Sequence, residues 1–222
     1  MFDVEDYEEC VEKFNIHGCW KWSEGKVIIY EFPFASHEIY IGRISYEITN
    51  VCRNVMGTPA KIISFGCTQI RDINCGKEAD ASFRLKKPAV TPLNGSDRND
   101  FPWPNLIVEV AYTETLDYVE EALRYWLSPG HAYDCIIVKI DPVPKAKYRL
   151  DITVFQQFEF GTQDGTGAPL NILQDQCIIN IPLNCLYHNV KPPIQILLNI
   201  LSDPIPIDFF FVQDALTEAY DI

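Results

Sequence analysis

The run LIVEV sets Glu109 among Leu106, Ile107, Val108 and Val110, a pattern that otherwise reads as a strand buried on both faces. An ionised carboxylate in a dry interior costs several kcal/mol unless something pairs with it. Asp80, in ADASF, is the other carboxylate that opens an apolar strand. If the two strands are neighbours, both acids reach one rim of the sheet and can share a divalent cation. Magnesium, or manganese in its place, suits such a set, because a hard ion takes carboxylate oxygens, a backbone carbonyl and several waters. The expected ligands are therefore Asp80, Glu109 and the carbonyl of Val110. A cation held there would give Glu109 the positive partner that its strand demands.

Strands and helices must bring these residues together. GCWKWSEGKVIIYEFP reads as a hairpin about a turn at 23–25, closed by Pro33. In SHEIYIGRISYEITNVCRNVMG, Ile41, Ile44, Ile48, Val51 and Val55 share one helical face, with Ser36 placed to cap the start and Gly57 to stop the helix. AKIISFGCTQIRDI and EADASFRL flank the turn NCGK and predict an antiparallel pair. KPAVTPLNGSDRNDFPWP is a Pro- and Asn-rich surface loop. TETLDYVEEALRYWLSPG carries Val119, Ala122, Leu123, Trp126 and Leu127 at helical spacing behind a Thr cap, and CIIVKI follows as another buried strand. Strand, helix, strand in that order predicts a parallel pair with a right-handed crossover. The fold class is α/β, a mixed central sheet with flanking helices. An acidic segment covers 1–14, one domain covers 15–190, and 191–222 is an appendage whose DFFFVQD run is read as closing over the core or as a docking patch.

The ordered set HEIYIGRI, ADASF, PNLIVEVAYTET, LDYVEEALRYW and CIIVKID resembles the restriction-endonuclease family of Uma-two type within the PD-(D/E)XK nuclease superfamily, over roughly residues 20–186. The resemblance implies a restriction-endonuclease-like fold and a magnesium-dependent endonuclease activity. It matches Asp80 and Glu109 to the metal-ligating acids and His37 to the histidine that opens the first helix, with Glu47 as a loose match to a helix acid. Two positions depart from the pattern. Ala79 replaces the Pro before Asp80, and Ala111 stands where the superfamily lysine would be. The alternative lysine position, a turn into the next helix, is Glu121. A lysine there orients the attacking water and counters phosphate charge, which Glu cannot do. Arg124 and Lys139 are the cations that could reach the site instead, although a helix-surface ion pair with Glu120 or Glu121 is the plainer role for Arg124 and arginine activates water poorly.

The chain has 222 residues, 47% hydrophobic and 22% charged, with a net charge of −13, values of a folded globular chain. The acidic balance opposes broad wrapping of nucleic acid, whose affinity comes from Lys and Arg on phosphates, but leaves room for a local groove. Nucleic acid is the expected partner of an active protein. A catalytically inactive nuclease-fold scaffold, binding a protein partner or forming a homodimer, is the alternative. Eight cysteines without a CxxC pair argue for free thiols rather than structural zinc. No apolar run approaches the ~20 residues that span a bilayer, so an intracellular protein, cytoplasmic or nuclear, without membrane contact is expected. No GxSxG elbow, Walker-type loop or strand-linked GxGxxG is present. His131 and His188 lack ligand spacing, and the loop FGTQDGTG lacks the Lys and helix of a phosphate cradle.

Overall fold

A computed structural model describes Lys13 and residues 20–23, 26–29, 35–55, 61–72, 75–85, 103–111, 114–129, 131–139, 173–188 and 197–220. The acidic start, Pro33, Gly57, the loop 86–102 and the loop FGTQDGTG lie outside the described residues.

Strands β1 (Trp20–Ser23) and β2 (Lys26–Ile29) pair antiparallel, as the turn signal predicts. Helix α1 (Ala35–Val51) runs on into a 3-10 turn at Cys52–Asn54. It starts two residues earlier than the Ser36 cap would place it, so Ser36 is inside the helix. Its predicted apolar face is real: Ile44 and Ile48 are buried. Strands β3 (Ile62–Asp72) and β4 (Cys75–Leu85) form the long antiparallel pair. Strand β5 (Leu106–Ala111), helix α2 (Leu116–Trp126) and strand β6 (Asp134–Lys139) follow, with β5 and β6 parallel. Thr115 caps α2, its hydroxyl accepting the Tyr118 N–H at 3.3 Å. The result is a mixed α/β fold, a six-stranded sheet in the order β2-β1-β4-β5-β6 with β3 on the other edge of β4.

Alternation along β5 divides the core in two. Leu106, Val108 and Val110 join Ile44 and Ile48 on the α1 side, whereas Ile107 packs with Trp103 and Trp126 on the α2 side. The C-terminal segment adds to the first of these layers. Strands β7 (Ile178–Ile181) and β8 (Ile205–Asp208) pair antiparallel, helix α3 (Leu183–Leu186) lies between them in sequence, and helix α4 (Phe210–Tyr220) packs against α1. Ile181, Leu183, Leu186, Leu201, Ile207, Phe209 and Val212 share one buried cluster with Phe83 and Val108, so residues on both sides of 190 build the same core. Within DFFFVQD, Phe209 and Val212 close over that core, the first of the two readings of this run. Asn105, wholly buried, ties the parts together. Its N–H donates to the Phe83 carbonyl, its carbonyl accepts from Tyr133 and Asp134, and its side-chain amide donates to the Leu186 carbonyl at 2.9 Å.

Cys52, Cys67, Cys135, Cys177 and Cys185 are free thiols. Among the described residues no helix is long and apolar enough to cross a membrane.

Candidate functional site

Strand β4 is where the site is made, because its pairing is irregular there. On one edge it pairs continuously with β3, but Gly66 faces Ser82 and Thr68 faces Ala79. Two steps along β3 thus match three along β4, which places an extra residue at Asp80–Ala81, a β-bulge, and an opposite extra residue in β3 at Phe65, between the pairs Ser64–Phe83 and Gly66–Ser82, restores the register overall. The side-chain alternation shifts accordingly. Ala79 packs beside Trp126, and Ala81 packs in the α1 layer, although regular pleating would put both on one face. On its other edge β4 pairs with β1 at Cys75 and Gly76 and with β5 at Ala81, Ser82 and Phe83. The stretch Lys77–Asp80 between them has no ladder partner on that edge among the described residues. It lines a fork between β1 and β5.

Asp80 fills the crotch of this fork. Its Oδ2 accepts the backbone N–H of Val110 at 2.7 Å, standing in for a ladder bond. The same oxygen lies 3.3 Å from Nε2 of His37, near the start of α1, and His37 Nδ1 is 3.3 Å from Glu38 Oε1. Burial alone would lower the His37 pKa, but the hydrogen bond and charge of Asp80, followed by those of Glu38, outweigh it and lift the group to about 9. His37 is therefore a cation at neutral pH.

Glu109 leans to the α2 side. One of its oxygens, Oε1, accepts the indole N–H of Trp126 and lies 3.2 Å from the ammonium of Lys77. Burial raises the Glu109 pKa most strongly, Lys77 opposes this, the Asp80 charge adds to it, and the net result is about 7. The repulsion between the two carboxylates marks them as electrostatic neighbours across the fork. Among the described residues, neither Asp80 Oδ1 nor Glu109 Oε2 has a hydrogen bond or ion pair. Each acid thus keeps one oxygen uncommitted. Because a residue in an extended strand turns its N–H and C=O to the same edge, the Val110 carbonyl opens toward β4 as its N–H does.

Among the described residues no three His, Cys, Asp or Glu side chains converge as a metal site. The donors that do gather, two carboxylate oxygens and one carbonyl, fit an ion that keeps several waters, as magnesium does. They fit it in competition with two internal cations, His37 and Lys77.

The other expected residues fall elsewhere. Arg124 is turned to solvent, its side chain 70% exposed and its Nη2 2.8 Å from Glu120 Oε2. Glu47 is held by Arg43 at 2.8 Å along α1. Lys139 sits opposite Ala111 in the β5–β6 register. His131 stacks on Trp103, ring centroids 3.8 Å apart, and His188 stacks on Tyr133 at 3.7 Å; both serve packing. The residue that sequence reasoning missed is Lys77, assigned to the turn NCGK. The signal was available, since a lysine three positions before Asp80 is as anomalous in an apolar strand as Glu109 is, and each is the other's partner.

No protein-family model and no curated protein matches the chain. Among solved structures, the chain is similar to a "putative nuclease belonging to DUF820" from Anabaena variabilis ATCC 29413, at 17% identity and a TM-score of 0.40. The match covers 52% of this chain and 65% of that one.

Proposed function

We propose that this chain is a metal-dependent phosphodiester hydrolase of nuclease type, as its resemblance to the Uma-two family implies. The observation that carries the reading is the fork itself. Asp80 and Glu109, from adjacent strands, stand within electrostatic reach of each other beside the Val110 edge, each with one oxygen free among the described residues. Asp80, Glu109 and the Val110 carbonyl would hold magnesium or manganese, which when bound polarises the phosphoryl oxygens and lowers the pKa of a bound water. The remaining work falls to the chain's own residues. His37, cationic at neutral pH, fixes Asp80 and adds positive potential where a phosphate backbone would approach. Trp126 fixes one Glu109 oxygen and leaves the other directed by default to a ligand.

The test is cleavage of supercoiled and single-stranded DNA, and of RNA, with magnesium or manganese and with a chelator. Asp80→Asn should abolish metal-dependent cleavage with the melting transition retained. Wild-type protein that leaves every substrate intact in both metals refutes the proposal.

The scaffold reading has its own supporting observation: each carboxylate already faces an internal cation, and Ala111 occupies the lysine position. Calorimetry with manganese separates the two, because a working site binds the ion and Glu109→Gln abolishes that binding, whereas a scaffold gives no heat with either protein.

A further inference from the structure

Lys77 is one of the few buried charged groups among the described residues. Its side chain is 5% exposed, and its ammonium makes no hydrogen bond of proper geometry although Glu109 Oε1 is 3.2 Å away. The contact is that of a buried ion pair. The rings of Tyr118 and Trp126 flank the nitrogen, their centroids at 5.4 and 5.2 Å, and hold it by cation–π attraction. It lies on the part of β4 that has no ladder partner on the fork side among the described residues, and the bulge at Asp80–Ala81 is what puts Lys77 on the same side as Glu109 and Trp126.

We infer that Lys77 is a two-position cation: without metal it neutralises Glu109, and with metal bound it is released to the attacking water and the scissile phosphate. This rests on the proposed function and deepens it, since it places in β4 the positive charge that Ala111 cannot provide. A divalent ion on Glu109 would repel the ammonium from the oxygen it now faces, and its N–H groups would then have phosphoryl oxygens to serve. In the hydrolytic step a water oxygen forms the new bond to phosphorus, the bond from phosphorus to the leaving oxygen breaks, and that oxygen takes a proton from solvent. Water gives up one proton to solvent in exchange. Lys77 keeps its own proton throughout and acts through charge and donor geometry, a contribution worth about a hundredfold or more for a donor aimed at developing negative charge.

The experiment uses the full chain and pairs two readouts that a merely structural lysine would move together. Lys77→Met and Lys77→Arg are compared with wild type by calorimetry with manganese alone and by cleavage of plasmid DNA, with thermal melting as the check on folding. Lys77→Met is expected to bind manganese about tenfold more tightly, because the competing cation has gone, and to cleave about a hundredfold more slowly. Lys77→Arg should keep the wild-type metal affinity and recover part of the rate. Unchanged cleavage by folded Lys77→Met overturns the inference and leaves the proposed function standing, and so does a loss of metal affinity in that variant. If neither wild type nor Lys77→Met binds manganese or cuts DNA, the proposed function falls and the role of Lys77 with it.

Discussion

Replacing His37 by Gln should remove a pH-dependent part of the protein's stability. His37 titrates at about 9 in the folded chain against an ordinary 6.5. At about 1.4 kcal/mol per pH unit, that gap sets a ceiling of about 3 kcal/mol. The sign follows from which state holds the proton. Below pH 6.5 both folded and unfolded chains are protonated, and the full contribution is present. Between 6.5 and 9 the unfolded chain gives up its proton while the folded one keeps it, so stability falls; above 9 the contribution is gone. Glu109, raised to about 7 from 4.5, pulls in the same direction over a lower window, fully favourable below 4.5 and lost as pH rises through about 7. That trend is common to wild type and variant and cancels in their difference. Urea unfolding followed by tryptophan fluorescence at half-unit steps from pH 6 to 9.5 should show the stability gap between the two proteins shrinking, by no more than that ceiling because solvent screens part of the interaction. A gap that stays constant across the range would mean that the His37–Asp80 contact does not hold a proton in solution, and the account of the fork's electrostatics would be wrong.

Two further perturbations probe the scaffold around the site. Asn105→Ala deletes the amide that donates to the Leu186 carbonyl at 2.9 Å and leaves a buried acceptor unsatisfied, so it should cost about 1–3 kcal/mol, read by urea unfolding, and should hasten protease cleavage of the C-terminal segment. Gly66→Ala meets open space at its new methyl but must hold φ at +56°, so it should cost about 1–2 kcal/mol through backbone strain alone; an unchanged unfolding midpoint would remove the argument.

How far the sequence foretold all this depends on whether local pattern or tertiary pairing decides. The β5–α2–β6 unit was legible because each piece carries its own signal: a continuous apolar run, a Thr-capped amphipathic stretch, another apolar run. The paired acids were legible for the same reason, since a charge in an apolar strand is conspicuous. Lys77 was hidden by its neighbours. Cys75, Gly76 and Lys77 follow Asn74 and read as a turn, but tertiary pairing with β1 and β3 draws them into β4. The bulge left no trace in composition, because an extra residue is defined only against a partner strand. Arg124 shows the converse: with Glu120 one turn back, local pairing on the helix surface wins over any longer reach.

The offset between β3 and β4 has a consequence for how changes in this chain should be judged. Asp80 is the one residue between Ala79 and Ala81, and deleting it would restore regular pleating there, with Ala79 and Lys77 kept on their present face and the extra residue of β3 at Phe65 left without its counterpart. Lys77 would still face Glu109, but the carboxylate that accepts the Val110 N–H and meets His37 would be gone. The residue that interrupts the pleat is also the one placed to grip a cation, so a deletion that evens out β4 would dismantle the site.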